Sequence, residues 1–468
     1  MIRKRRAIYL PIILVFTTAF IALSMTLVEI ALLQRKTSRN NLSKISALGV
    51  AEAGVSYYLW HLAHDHDDYT DGGPIPVGGA PYGPYVHTYK DNDGNMIGTF
   101  SLTITPPPNG STIVTIESTG TLASTAKQRT VKAVLGIPSF STYASIVGAG
   151  EMWFRAGEDT SGPVHSNVGI RFDAINNGTV SASNATYIPS VNYGGNGNQS
   201  QPGVWGDGGP QSQWIFPVPP VNFQQITADL QTLKNAANSN GKYLAESTNL
   251  GYFIQFQADG TYKLAEVTNY TFNTFTYTAL ATQPYPPNGI IYADDNLWIE
   301  GTVNGRYTVA AATLPDNPST NRDITITNTI AYTTKDGSDV LGLIGQRDVK
   351  AGPMTPDTME IDAAMLAQNG RVFRPCRWDR PDDKNCFKGN GDNNSDTYNL
   401  RTQLTIYGSV GSFLSENWNW NAGNEGVSKS GYLNVDHTYD SHLLYGPPPS
   451  FPSTGQYALI SWREVLTP

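Results

Sequence analysis

An uncharged apolar run near the N-terminus constrains this chain more than any other feature. Residues 3–6 are all Arg or Lys, and the next 22 residues, from Ala7 to Val28, carry no charged side chain. As a helix this run measures roughly 33 Å, close to the thickness of about 30 Å of a bilayer's hydrocarbon core. The sequence therefore predicts one membrane-spanning segment, over residues 7–33, with lipid as its partner.

The charges around this run predict its orientation. Residues 1–6 form a basic stub that we expect in the cytoplasm, which places the bulk of the chain outside the cell membrane. Arg35, Lys36, Arg39 and Lys44 follow the run closely and reduce the charge asymmetry. A cleaved secretory signal peptide is the alternative. The length of the run, with no small-x-small site after it, favours a single-pass anchor.

The helical pattern continues beyond the predicted membrane segment. Apolar residues recur every three or four positions from Leu42 to Leu62, and no proline occurs in residues 12–62. One uninterrupted helix from about Ile8 to Leu62 would be about 80 Å long. Its first half would lie in lipid, and its second half would pack on a folded domain.

This N-terminal order of basic patch, apolar run and polar stretch ends in the motif Ala51-Glu52-Ala53-Gly54. It resembles the start of the PilX-like minor pilins of type IV pili, and of the large tip-type pseudopilins of type II secretion. The resemblance covers about the first 60 residues. It implies that the apolar helix enters a filament core or tip complex, with pilin or pilus-assembly subunits as partners.

The same resemblance implies processing by a prepilin peptidase between Ala7 and Ile8. The family normally has Gly before the apolar run, where this chain has Ala7, and the usual pilin glutamate is replaced by Ile12. Glu52 of the motif has two interpretations: an ordinary surface charge, or a buried hydrogen-bonded acid on the apolar stripe.

Four alternating segments after the helix predict an antiparallel sheet. They are 85–90, 96–105, 111–122 and 128–137, joined by turn sequences such as Asn92-Asp93-Gly94. With the second half of the helix they predict a pilin-like α+β domain over residues 34–138.

Residues 139–468 predict a β-rich ectodomain, with an insertion near 189–245 that carries a short helix. Short apolar strands recur between Gly, Asn and Asp corners without an exact repeat. This texture favours a right-handed parallel β-helix, a solenoid of stacked coils, and a sandwich or jelly roll is the alternative. The expected fold class is mainly β with a long N-terminal α-helix. A net charge of -8 argues against a nucleic-acid partner, which needs a basic face.

The two cysteines, Cys376 and Cys386, lie ten residues apart with no histidine between them. An extracytoplasmic location favours a disulfide closing a short loop, and a pair of unlinked thiols is the alternative.

Two acidic stretches raise the question of Ca²⁺, which takes oxygen ligands. Neither stretch has the turn glycine of an EF-hand, so solvated loops are the favoured interpretation and no cofactor is expected. The acidic candidates are Asp65, His66, Asp67, Asp68 and Asp71 in one stretch, and residues 392–396 in the other.

Catalytic motifs are absent from the sequence: it contains no G-x-S-x-G, S-x-x-K, H-E-x-x-H or phosphate-binding loop. His165 between serines, and the acids Asp294, Asp295 and Asp316, are the remaining candidates for a polysaccharide-degrading site. Each also reads as a turn residue. We therefore expect no enzyme.

Four tryptophans in Gly- and Asn-rich surroundings suggest either stacking faces for a surface glycan or partner, or plugs that seal loops. They are Trp205, Trp214, Trp418 and Trp420. The expected function is a membrane-anchored, minor pilin-like surface protein with an ectodomain for assembly or adhesion. The alternatives are a glycan-binding adhesin outside any filament and a β-helix enzyme that degrades polysaccharides.

Overall fold

The computed structural model of the chain describes residues 9–65, 67–107, 113–271, 274–375, 400–421, 428–444, 446–453 and 457–465. They form two compact units. The first comprises residues up to 106, residues 114–135 and residues from 457 onward, and the second comprises 107–113 and 136–456.

The helices of the two units are α1 (Tyr9–His64) and α2 (Ile226–Asn240). The strands, in chain order, are β1 Tyr82–Lys90, β2 Met96–Thr105, β3 Val114–Leu122, β4 Gln128–Gly136, β5 Ser145–Val147, β6 Glu151–Phe154, β7 Val164–Ser166, β8 Gly169–Phe172, β9 Val180–Ala182, β10 Thr186–Tyr187, β11 Gln201–Pro202, β12 Val204–Trp205, β13 Trp214–Ile215, β14 Lys242–Leu244, β15 Tyr252–Phe256, β16 Tyr262–Thr271, β17 Thr274–Tyr277, β18 Ala281–Gln283, β19 Ile290–Ala293, β20 Leu297–Val303, β21 Arg306–Ala311, β22 Ile324–Tyr332, β23 Val340–Gly345, β24 Val349–Ala351, β25 Thr358–Ala367, β26 Val372–Phe373, β27 Leu400–Ser412, β28 Asn419–Asn421, β29 Ser428–Tyr439 and β30 Ala458–Val465.

The first unit is a long helix packed on an antiparallel sheet. The sheet has five strands in the order β1-β2-β3-β4-β30, and β1 to β4 pair as successive antiparallel neighbours. The second half of α1 buries one face against this sheet, because its apolar residues recur at helical spacing. The buried residues of α1 are Ala47, Val50, Ala51, Val55, Tyr58 and Leu62.

The last strand of the chain belongs to the sheet of the first unit. The sequence predicts four strands and assigns everything after residue 138 to the ectodomain, whereas β30 pairs beside β4. Local periodicity cannot show that a strand pairs with one more than 300 residues earlier in the chain, because this pairing depends on how the intervening chain folds. The predicted boundary at 138 therefore leaves out the C-terminal strand.

The second unit is β-rich and is built around one long parallel ladder. Each neighbouring pair in it runs parallel and in register, and the spatial order is β14-β19-β21-β23-β25-β27-β5-β7-β9-β13. The chain enters this ladder in its middle. Strand β5 pairs with β27, from near the other end of the sequence, through Ile146 and Gly411.

Further parallel pairings run beside the long ladder. Strand β15 pairs with β20, β20 with β22, and β22 with β24, while β25 pairs with β27 and β27 with β29. Antiparallel strands β16, β17 and β18 attach at β15. The unit thus combines parallel and antiparallel sheet, and its long-range pairings between strands of the main ladder are parallel.

The main ladder is buried on both faces. Alternate strand residues such as Ile291, Val309 and Leu343 line one core cluster. Their neighbours in sequence pack with α2 in a second cluster, which includes Ile226, Leu230, Leu233, Ala237, Tyr292, Ala310, Ile344 and Leu366. Burial of both faces explains the near-continuous apolar runs of these strands.

Candidate functional site: the N-terminal helix and its sheet

The first half of α1 is an apolar surface with no covering protein. Phe16 and Phe20 are each 73% exposed, and an 18-residue apolar window of the helix has no buried residue. Within the described part of the chain, α1 is the one helix long and apolar enough to cross a membrane. An exposed apolar surface of this size marks an interaction site with a membrane or with other proteins.

A polar stretch separates this surface from the packed half of the helix. Arg35, Lys36, Arg39 and Lys44 are exposed, and the buried face of α1 begins at Ala47. One continuous helix thus carries two different surfaces, an apolar one open to an external partner and a second one sealed on the sheet.

The Ala51–Gly54 motif lies where the helix meets the sheet. Ala51 and Gly54 are buried, Ala53 is half-buried, and Glu52 is exposed. The structure therefore shows Glu52 as a surface charge, and the buried role considered for it is wrong. Position 54 has no room for a side chain: a Cβ there would lie 2.9 Å from Phe100 Cδ2 and still closer to Ser118 Oγ.

Strand β3 makes the matching close approach to the helix backbone. A Cβ on Gly120 would lie 2.9 Å from the carbonyl carbon of Val50, and closer still to the Ala47 oxygen and the Ala51 nitrogen. Glycine inside a strand often marks such a backbone approach. Gly54 and Gly120 together bring the helix against the sheet more tightly than any larger residue allows. Ser118 and Gly120 were not identified from the sequence, although Gly120 inside an alternating strand was an available signal.

Two histidine–carboxylate pairs fasten the loop after α1 to the helix and the sheet. His61 Nε2 lies 3.0 Å from Asp68 Oδ2, and His87 Nε2 lies 2.7 Å from Asp71 Oδ2. The hydroxyl of Tyr57 donates to Asp71 Oδ1 at 3.0 Å. Burial of the Tyr57 hydroxyl, together with its bond to Asp71, raises its pKa to about 12. These bonds fix the point where the chain leaves the helix.

The acids of this loop that were considered for Ca²⁺ form hydrogen bonds within the protein. Burial alone would raise the pKa of Asp68, but the bonds that it accepts from Thr70, Gly72 and His61 lower it below its ordinary value. Asp65 and Asp67 are exposed. Among the described residues, no group of three or more His, Cys, Asp or Glu side chains is placed to hold a metal ion. His66 and residues 392–396 lie outside the described residues.

His165 is a buried strand residue in the second unit. Its Nδ1 lies 3.0 Å from Ser181 Oγ, and its Nε2 lies 3.0 Å from Asn167 Oδ1. Burial lowers the pKa of His165 below its ordinary value, against the bond to Asn167, which raises it. Both ring nitrogens are engaged with neutral side chains, so the carboxylate that would orient a catalytic histidine is not among these partners.

The three acids considered with His165 each have structural partners. Both oxygens of Asp294 accept from Lys234 Nζ, at 2.8 and 2.7 Å, and one also accepts from the Tyr243 hydroxyl. Asp295 is buried and accepts from the backbone and hydroxyl of Ser247, at 2.9 and 2.7 Å. Asp316 accepts from Asn369 Nδ2, at 3.1 and 3.2 Å. These contacts connect neighbouring segments of the unit.

The four tryptophans differ in how much ring surface they present. Trp418 is buried in the core of the second unit, so it offers no stacking face. Trp205, Trp214 and Trp420 are half-buried. The Nε1 groups of Trp205 and Trp420 donate to Tyr187 Oη at 2.9 Å and to the Arg374 carbonyl at 2.7 Å.

The remaining predicted sites fall outside the residues that the structure describes. They are the processing site Ala7–Ile8 and the cysteines Cys376 and Cys386. Cleavage and disulfide formation therefore stay predictions.

Comparisons with known proteins leave the family of this chain open. No protein-family model matches the sequence, and no curated protein matches it. Among solved structures, the fold is similar to the competence-associated pilin ComZ from Thermus thermophilus, at a TM-score of 0.31 and 14% identity. The match covers 91% of this chain and 98% of ComZ. A likeness of this size establishes neither a shared family nor a shared function.

Proposed function

We propose that this protein is a minor pilin-like subunit, held in the cell membrane by α1 and transferred from there into a filament of the type IV pilus kind. The single observation that carries the proposal is the division of α1 into an exposed apolar half and a half sealed on an antiparallel sheet. Such a helix needs an apolar partner outside its own chain, and both a bilayer and a bundle of like helices provide one.

The size of the exposed surface supports this requirement. Burying one large apolar side chain contributes about 1.5–3 kcal/mol. The exposed apolar residues over this half of α1 are Ile12, Ile13, Leu14, Val15, Phe16, Phe20, Ile21, Leu23, Met25, Leu27, Val28, Ile30, Leu32 and Leu33. Together they represent an unfavourable exposure in water on the order of tens of kcal/mol, so the helix is stable only when it is covered.

The charges flanking the helix support a cytoplasmic N-terminus, since four basic residues precede the apolar run. Both β units would then be extracytoplasmic. In a filament, the same apolar surface would exchange lipid for the helices of neighbouring subunits.

The second unit serves in this proposal as a platform for assembly or adhesion. We interpret its parallel ladders as the faces of a right-handed parallel β-helix. Parallel, in-register pairing of successive strands, a core between the ladders and the strong right-handed preference of parallel crossovers support this interpretation.

Two measurements test the proposal. Mass analysis of the mature N-terminus should show a chain that begins at Ile8, and the protein should co-purify with sheared filaments. A chain that stays uncut in every preparation and never accompanies filament subunits would instead support an adhesin outside any filament.

Catalysis has no place in the proposed function. If the protein releases oligosaccharides from a panel of bacterial and host glycans, and if Asp294→Ala or His165→Ala variants that remain folded abolish that release, the assembly role is no longer a sufficient account of the second unit.

A further inference from the structure

The C-terminal strand β30 is an open sheet edge with apolar side chains on both of its faces. It has β4 on one side, and the described residues provide no strand on its other side. Leu459, Ile460 and Trp462 are 49%, 37% and 42% exposed. Successive strand residues face opposite ways, so Leu459 lies on one face and Ile460 and Trp462 lie on the other. Proteins normally shield such an edge with charges, proline or a covering element, so an unshielded one indicates a partner strand.

This edge is held firmly at both ends. Before the strand, Tyr457 is buried, and its hydroxyl lies 3.2 Å from that of Tyr69. At the far end, Glu464 Oε1 forms an ion pair with Arg129 Nε at 2.9 Å. The exposed residues between these two anchors are therefore presented in a fixed extended conformation.

The opposite edge of the same sheet, strand β1, offers a segment of similar length. Pro84 lacks an N–H, and the β1–β2 register shifts between Tyr82 and Tyr85, which leaves Tyr85–Lys90 as the regular part of the strand. Val86 in this part is 64% exposed. On β30, the run of exposed residues is Ala458–Arg463. Each edge thus presents about six residues of open strand.

Strand direction decides how two copies could pair. Strands β1 to β4 alternate in direction, and the ion pair joins the end of β30 to the start of β4, so β30 runs opposite to β4 and in the same direction as β1. An antiparallel pair of two β30 strands has its two-fold axis perpendicular to the sheet. That axis would reverse α1, which packs flat on the sheet, and two chains anchored in one membrane cannot point in opposite directions.

We propose that β30 of one copy pairs in parallel with β1 of a second copy of this chain, the two copies standing side by side in the membrane. The inference rests on the membrane anchoring proposed above. The contact joins unlike edges, so each copy keeps one β1 edge or one β30 edge free. Such a contact adds copies in a row and does not stop at a dimer, which is the kind of association that a filament-forming subunit needs.

Cross-linking of the full-length chain in vesicles of phosphatidylethanolamine and phosphatidylglycerol tests this pairing. One copy carries Val86→Cys and one tag, and the other carries Leu459→Cys and a second tag, with a short bis-maleimide as cross-linker. We expect a covalent dimer bearing both tags only when the two variants are mixed. Val77→Cys is the matched control, because Val77 is a fully exposed apolar residue in a loop of the same unit. Wild-type protein measures the background from Cys376 and Cys386.

The outcomes separate the pairing from the anchoring. Ile460→Lys together with Trp462→Lys should reduce the mixed cross-link at least tenfold, whereas Val77→Lys should leave it unchanged. Vesicles that float with inserted protein but give no mixed cross-link overturn the strand pairing and leave the anchoring intact. A dimer formed by Leu459→Cys alone overturns the proposed geometry, and protein that does not float with the vesicles overturns both proposals.

Discussion

Gly54 of α1 lies so close to Ser118 of β3 that the Ser118 hydroxyl occupies the space that a Cβ on residue 54 would fill. The contact joins the one short motif that resembles pilins to the centre of the sheet. Any side chain at residue 54 must push the helix away from β3, and Phe100 on the neighbouring strand leaves little room for that movement.

Gly54→Ala should therefore lower the free energy of unfolding of the first unit by about 1–3 kcal/mol, as over-packing does in a tight core. Gly49→Ala is the matched control, because a Cβ there meets nothing within 4 Å and the same helix gains up to about 1 kcal/mol from alanine. Denaturant unfolding of the detergent-solubilised chain measures both. Equal effects of the two substitutions would show that the close approach has no energetic weight.

Phe20→Lys should impair membrane insertion, since lysine at the centre of a membrane helix costs about 2.5–3.5 kcal/mol on insertion scales. Leu42→Lys serves as the control on the same helix: Leu42 is 65% exposed and lies beyond the apolar run. The fraction of protein that resists alkaline extraction of membranes measures the difference. If both variants stay in the membrane to the same extent, the first half of α1 is not the anchor.

Asp229 of α2 should make the second unit less stable as the pH rises. Burial raises the pKa of Asp229 to about 6 from an ordinary 3.8, against a backbone hydrogen bond from Ser453 that lowers it. A carboxyl whose pKa is raised by folding contributes stability below about pH 4, and this contribution is lost as the pH passes through about 6. Asp229→Asn removes the ionisation, so its Tm relative to wild type should increase between pH 4 and pH 7. Glu52→Gln, at an exposed acid, should follow the wild-type curve. A constant difference between Asp229→Asn and wild type across this range would contradict the assignment.

Asp295→Ala should destabilise the second unit by about 1–3 kcal/mol, because the backbone and hydroxyl of Ser247 would lose a buried acceptor. The exposed Asp207 provides a control substitution, Asp207→Ala, within the same unit. Chemical denaturation followed by tryptophan fluorescence compares them. Unchanged stability of Asp295→Ala would remove the structural explanation for this acid and reopen the question of a catalytic one.

The parts of the fold that depend on local pattern were predictable from the sequence. Apolar spacing and the absence of proline predicted one helix over about 8–62, and it runs from Tyr9 to His64. Alternation and Gly-containing turns predicted β1 to β4. These signals suffice because each depends on residues only a few positions apart.

The parts that depend on long-range packing were not predictable. Trp418 has the same Asn- and Gly-rich neighbours as the half-buried Trp420, yet it lies in the core, because the face on which a residue lies depends on which strands stack there. Glu52 lies on an apolar stripe in sequence but is exposed, since the sheet covers a narrower band of the helix than the stripe suggests. The partner of β30 was hidden for the same reason.

The pairing of β30 with β4 also sets a condition on when the first unit can be completed. A chain that emerges N-terminus first can form α1 and the sheet from β1 to β4 early, but the β4 edge stays uncovered until the last residues arrive. Only a full-length chain can close this sheet. The N-terminal unit, which carries the apolar helix, therefore reports whether the whole ectodomain has been made and delivered across the membrane, and a truncated chain would expose β4 to unwanted pairing or proteolysis before it joined any assembly.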